Sequence, residues 1–410
     1  MLGSCRVLDL TNERAFLCGK ILGDFGADVI KIEPPGGEPG RNTGPFYQDI
    51  IDPEKSLSWF ALNTSKRGIT LNIETDEGRQ ILKRLVKTAD FVIESFEPGY
   101  MDSLGLGYPV LEEINLRIIM TSISPFGQTG PYAHYKASDM TLTAMGGFMY
   151  TCGEPDPGSI YRISVPQSYL VASLHGAMGS MMAYYYRETS GEGQHLDISI
   201  QEATIYLAAN VPELWDTYKV NGNRGGFGLV RPRPDPLGPL VTRWVYPCKD
   251  GYVNLMVGGG SQHGLVKSMI ALLELAEQEG MAGDLKDYDW SSYDSTKITQ
   301  EEVHRIEKVL MSFIRTKTKQ ELYDAAVEKS IILVPLQSVK DILESPQLAA
   351  RDYFVQVYHP ELGETITYPG APVKLSEAPW KISRRAPLIG EHNSEIYEQE
   401  LGVSLEQLAK

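Results

Sequence analysis

The sequence has few of the residues from which metal, redox and disulfide sites are built. Its 410 residues include four cysteines, Cys5, Cys18, Cys152 and Cys248, widely spaced and with no CxxC pair. That spacing argues against a zinc ribbon or a disulfide scaffold, so no metal is expected and the thiols should be buried and reduced. No apolar run approaches the roughly 18 residues of a membrane span. Lys and Arg number 38 against 53 Asp and Glu, a formal net charge of -15. A nucleic-acid surface needs clustered basic residues, so no nucleic-acid partner is expected. The opening MLGSCRVLDL lacks the basic and apolar blocks of a secretory signal, which makes a cytoplasmic location the expectation. One further absence is internal. No Asp or Glu occurs between Asp156 and Glu188.

A chain this long exceeds the size at which one core stops growing, so two domains are expected. RVLDL reads as a strand, NERAFLCGKILGDFG as a helix with Asn12 as its N-cap, and ADVIKIE as an alternating second strand. This βαβ opening implies a parallel sheet, but its first turn has no GxGxxG, which disfavours a dinucleotide enzyme. PPGGEPGR must be a loop. Strand signals recur in KRGITLNI, FVIESF and RIIMTSIS, with an amphipathic helix in TDEGRQILKRLVKTAD. The pattern predicts a doubly wound α/β domain with ligands at the carboxyl ends of strands, in the loops after Glu33, Phe96 and Ser124. Residues 221–240, NGNRGGFGLVRPRPDPLGPL, are too rich in Gly and Pro for a core element and read as a break.

Several stretches in order, VLDL, GADVIKIEPPGG, NTSKRGITLNI, ADFVIESFEPG, LGLGY, SISPFGQTGPY, DMTLTAMGG, RETSGEGQHLDIS and, late in the chain, SPQLAARDYF and RAPLIGEHN, resemble the successive signatures of the family III CoA-transferases. The likeness is weaker over residues 215–325. It implies an α/β fold with a Rossmann-like large domain made from both chain ends (1–220 and 326–410). A small α+β domain (221–325) would be inserted between them, and two subunits would interlock as a dimer with the active site at their junction. It also implies acyl-CoA and carboxylic acid substrates, with a coenzyme A thioester supplying the CoA. In that family an Asp carboxylate attacks the thioester, forms a mixed anhydride, and then carries CoA as an aspartyl thioester. A carboxylate suits the task because both intermediates stay activated.

The resemblance places this Asp 25 residues ahead of the Gln of a Gly-rich turn. Counting back from Gln194 in SGEGQ reaches Tyr169, and shifting the alignment by one or two residues finds no acid. The family's small residues after the first strand are replaced by Glu13-Arg14-Ala15-Phe16, and the Asn before its Phe is Ser95. Arg41, Lys66, Arg67, Ser95, Phe96, Lys136 and Asp139 are the residues the resemblance assigns to the CoA site. Tyr184, Tyr185 and Tyr186 are expected in core and dimer packing, and His175 as a satisfied core histidine. The combined expectation is a non-catalytic subunit working with a paralogous chain that supplies the Asp. Within the family the opening residues are most similar to the two-subunit enzymes moving CoA from succinyl-CoA to benzylsuccinate. An active homodimeric transferase or racemase and a CoA-ester-binding regulator are the alternatives.

Overall fold

Six parallel strands organise the N-terminal half of the computed structural model, which describes residues 2–154, 160–208, 210–219, 221, 224–231, 233, 238–378 and 380–404. They are β1 (Arg6–Leu10), β2 (Asp28–Glu33), β3 (Lys66–Thr70), β4 (Phe91–Glu94), β5 (Ile119–Ser124) and β6 (His195–Ser199), in the order β3-β2-β1-β4-β5-β6. The order reverses at β1, the topology in which ligands gather at the carboxyl ends beside the switch. Helices α1 (Phe16–Asp24), α2 (Leu57–Leu62), α3 (Asp76–Val86), α4 (Tyr100–Ser103), α5 (Tyr108–Ile114), α6 (Asp139–Met145), α7 (Gln167–Ser190) and α8 (Ile200–Ile205) complete this half. One face of the sheet is covered through Ile81, Leu82, Leu85 and Leu111 of α3 and α5. The other is covered through Cys18 and Leu22 of α1 and Ala172, Ala177 and Ala183 of α7. The small residues let α7 lie close, and a Cβ on Gly176 would meet Ile123 Cδ1 at 2.8 Å.

The chain divides into two units. One comprises Met1–Phe148, Ile163–Leu207 and Pro346–Lys410, the other Met149–Arg162 and Ala208–Ser345. In the first unit the late segment 384–393 returns to the edge strand β3. Gly68 exchanges hydrogen bonds with His392, through its N–H to Nδ1 (3.1 Å) and its carbonyl from the His392 N–H (2.9 Å), and Thr70 N–H donates to Asn393 Oδ1 (2.9 Å). Those contacts satisfy an edge that would otherwise pair with another chain. The second unit has its own core around Leu272, Leu310, Phe313 and Trp290. A three-stranded antiparallel sheet lies against that core. The stretch 221–240, read as a break, contains the strand Gly228–Arg231 paired antiparallel with Leu240–Arg243. Residues 222, 223, 232 and 234–237 of it lie outside the described residues.

Charge is buried where β1, β2 and β3 adjoin. Asp9, Lys31 and Lys66 are fully buried, and Asp9 Oδ2 meets Lys66 Nζ at 2.7 Å with Lys31 Nζ 3.5 Å from Oδ1. Burial pushes the Asp9 carboxyl up, but the two ammonium groups outweigh it and hold it below the usual range. Burial drives Lys66 the other way, down to about 8 even with Asp9 beside it. The alternation read in β2 therefore does not put its polar residues in solvent. Lys31 is 0% and Glu33 0% exposed, because both faces of this central strand are covered. Glu33 is paired by Arg41 at 2.6 and 2.8 Å, and the guanidinium lies 3.7 Å from the centre of the Trp59 ring. Replacing Arg41 with Met leaves the Glu33 carboxylate buried and unpaired, which should cost about 3–5 kcal/mol. Urea unfolding at neutral pH checks this, and the double variant Arg41→Met/Glu33→Gln should recover much of the loss.

Candidate functional site

The longest helix, α7, begins behind Pro166 with no cap from its own side chains. Its first turn is capped from α6 instead. Asp139 Oδ1 accepts the Ser168 N–H at 3.1 Å and the Ser168 hydroxyl at 2.8 Å, with Ser168 fully buried and Asp139 nearly so. A carboxylate at a helix start satisfies free N–H groups and complements the helix dipole. Helix α7 ends on Gly191 in the left-handed region (φ 81°), so the SGEGQ turn supplies its stop.

Tyr169 follows Ser168 and is fixed by the same contact. Its ring is half-buried against the cluster that includes Ala15, Leu142 and Ala172. Its phenol lies beside the Arg14 guanidinium and the backbone of Asp139. Burial pushes the phenol above its ordinary value, with the nearby Arg14 charge pulling only partly against it, so Tyr169 is neutral at physiological pH. A phenol there can accept hydrogen bonds, but it cannot form the anhydride and thioester that a carboxylate forms.

The first turn joins this point to the neighbouring strand. Asn12 Oδ1 accepts the Arg14 N–H at 3.1 Å, but it caps the turn ahead of the helix rather than the helix itself. Helix α1 starts at Phe16 with Ala15 before it and no side-chain cap. Asn12 N–H donates to Ser95 Oγ at 2.8 Å, and Asn12 Nδ2 reaches the Ser95 carbonyl at 3.3 Å. Phe96, the next residue, packs on Tyr100 with ring centres 4.8 Å apart. Ser95, the 12–14 turn, Tyr169 and Asp139 are therefore linked by direct contacts. Lys136 stands exposed on the loop leading into α6, three residues from Asp139. The other three expected cations lie apart from this group and have internal partners. Arg41 binds Glu33, Glu54 and the Pro387 carbonyl. Lys66 binds Asp9, Asn63 Oδ1 and the Phe16 carbonyl. Arg67 binds Asp28, Glu395 and Glu400, each at 2.6 Å. Carboxylates distant in sequence take up these charges.

Arg14 is the site residue that sequence reasoning missed as a partner. It was visible only as a bulky, charged residue where the family has small ones. His175 bonds the Val171 carbonyl from its own helix at 2.9 Å and lies beside Tyr206. Of the three tyrosines expected in core and dimer packing, Tyr184 stacks on Phe91, whereas Tyr185 and Tyr186 face outward. In the second unit Gly258, Gly259, Gly260 and Ser261 line a cleft of about 500 Å³ with Arg231 and Tyr293. Among the described residues no group of three His, Cys, Asp or Glu side chains could hold a metal, and no helix is long and apolar enough to cross a membrane.

The family model for CoA-transferase family III matches residues 2–393, and the chain belongs to that family. The subunit BbsE of succinyl-CoA:(R)-benzylsuccinate CoA-transferase from Thauera aromatica is 33% identical over 95% of this chain and 92% of its own length. A formyl-CoA:oxalate CoA-transferase from Streptomyces coelicolor is 31% identical over 98% of this chain and 96% of its own. Among solved structures, a CAIB/BAIF family protein from Brucella suis superposes with a TM-score of 0.81 at 28% identity, covering 96% of this chain and 98% of that one. CoA-transferases act on CoA thioesters, so a thioester of coenzyme A is the substrate class the family brings to the site. Tyr169→Phe removes a half-buried hydroxyl beside the Arg14 guanidinium and should destabilise the fold by about 1 kcal/mol. Chemical denaturation measures the loss, and no loss would show that the phenol contacts carry no weight.

Proposed function

We propose that this chain is a non-catalytic subunit of a heteromeric family III CoA-transferase, completed by a paralogous chain that carries the nucleophilic Asp. The observation behind this reading is the side chain at 169. The helix and its Asp139 cap are in place, and the residue they position is a neutral phenol beside Arg14. Neither Pro157 to Arg187 nor the first turn of α7 offers a carboxylate in its stead. The partner would come from the same family, and one relative is itself a subunit of a succinyl-CoA:(R)-benzylsuccinate CoA-transferase. The outer face of α7 fits such an association. Leu174, Met178, Met182 and Tyr185 are 53%, 54%, 66% and 78% exposed, an apolar stripe at helical spacing that a partner subunit would cover. The reaction would move CoA from succinyl-CoA to an aromatic dicarboxylic acid such as (R)-benzylsuccinate. Ser95, Phe96 and Lys136 would meet the CoA ester, while Arg41, Lys66 and Arg67 act as framework. The inserted small domain and the cytoplasmic location belong to the same reading.

A second reading has one observation in its favour. Asp139 is a carboxylate in contact with the residue preceding Tyr169, so a displaced nucleophile in an active homodimer would be sought there. Its Oδ1 is committed to Ser168, which favours the capping role. Reconstitution separates the two. The chain purified alone should transfer no CoA from succinyl-CoA to benzylsuccinate, and activity should appear when the Asp-bearing paralogue is added. Turnover by the chain alone, abolished by Asp139→Asn, would establish the second reading instead.

A further inference from the structure

On the sheet face opposite α7, three side chains from adjacent strands stand side by side. Glu94 ends β4, Ser122 is its partner in register on β5, and His195 opens β6. Ser122 Oγ lies 2.9 Å from His195 Nε2, and its hydroxyl is the neighbour on the next strand that pulls the Glu94 carboxyl down. Glu94 Oε2 in turn accepts the Phe96 N–H at 2.7 Å, closing the turn that holds Ser95 and Phe96. Glu94 is 4% and Ser122 1% exposed, whereas His195 reaches solvent on the edge strand β6. The three border a cleft of about 100 Å³ that also meets Asp102, Tyr108 and Gln128. None of these groups has a part in the nucleophile chemistry around residue 169.

We propose that Glu94, Ser122 and His195 form a proton relay from solvent to the Ser95–Phe96 turn, so that protonation of a buried carboxyl sets how this chain holds a CoA ester. The last clause rests on the reading above in which Ser95 and Phe96 contact that ester. With the Ser122 hydroxyl given to Glu94, its oxygen accepts from His195 Nε2–H. A proton arriving at His195 Nδ1 displaces the Nε2 proton to Ser122 Oγ, and the Ser122 proton passes to Glu94. Histidine emerges neutral in its other tautomer, serine is unchanged, and the carboxylate has become a carboxyl.

The groups facing the relay set the pH range. Glu94 is raised to about 7, first by burial and further by Asp102 on α4 and Asp197 on β6, with the Ser122 hydroxyl and Phe96 N–H opposing. His195 is lowered by burial, against the pull of Asp197 and Asp102, and Tyr108 of α5 stacks on its ring at 5.6 Å. Glu97 lies at the rim of the cleft. The charged carboxylate, present above about pH 7, accepts the Phe96 N–H more strongly than the neutral carboxyl does. The turn is therefore held above that pH and loosens as pH falls through it.

In the full-length 15N-labelled chain, the Phe96 amide proton should titrate with a midpoint near the Glu94 value, and Glu94→Gln should abolish that titration. Ser122→Ala removes a donor to the carboxylate and should move the midpoint upward. A Phe96 amide that does not titrate, or that titrates unchanged in Glu94→Gln, overturns the relay. With CoA as the probe, calorimetry should show affinity falling about threefold or more from pH 8 to pH 6, roughly the worth of a charge-assisted hydrogen bond made neutral. Glu94→Gln should flatten that change. CoA affinity independent of pH beside a titrating Phe96 overturns the coupling. Failure of CoA to bind at any pH sinks the assignment of Ser95 and Phe96 as CoA contacts, while the amide titration still decides the relay.

Discussion

The buried carboxylate of Asp9 is the contact on which both the sheet and the site depend. It is gripped by Lys66 and faced by Lys31, and it also accepts the Thr11 N–H at 3.0 Å and hydroxyl at 2.6 Å. Three strands and the turn after β1 are thus tied through one side chain. Helix α1 can pass this close only because residue 19 is glycine, where a Cβ would lie 2.2 Å from Asp9 Oδ2. Breaking such a cluster by removing one partner strands a charge in a medium that cannot solvate it. The tie also sets the course of residues 12–14. Asn12 is brought to Ser95, and Arg14 to Tyr169.

That continuity explains how the frame around residue 169 is held. Asp139 caps α7, α7 lays its small residues on the sheet, and Gly191 ends it. None of these contacts needs a nucleophile at 169. Residue 169 is held beside Arg14 at the end of a rigid ring, and a phenol there cannot carry the acyl intermediate that a carboxylate carries.

The strands, the helices and the family were legible because their signals are local. RVLDL, FVIESF and RIIMTSIS are apolar runs bounded by turn residues, and α3 shows its apolar stripe within one short window. The partners of the charged residues were not legible. Arg67 finds Glu395 and Glu400 more than three hundred positions away, and Lys66 finds Asp9 across two strands, so the resemblance assigned both to the CoA site with these partners out of view. Burial of Lys31 and Glu33 was hidden for the same reason, since alternation cannot reveal that both faces of a strand are covered. Asn12 looked like the helix cap because Asn suits that position, and its Oδ1 does take the Arg14 N–H, but the helix itself begins only at Phe16. The Gly and Pro content of 221–240 concealed a short strand whose partner begins only at Leu240. At the site, the stretch without Asp or Glu was visible, but the place of Arg14 beside residue 169 required the fold.

The central claim is that the acyl-carrying carboxylate lies on another chain. Incubating the native complex with succinyl-CoA, quenching it and measuring the intact mass of each chain tests this directly. A CoA or acyl adduct should appear on the Asp-bearing partner and none on this chain. An adduct on this chain, mapped by peptide digestion to Asp139 or any other residue, would contradict the account.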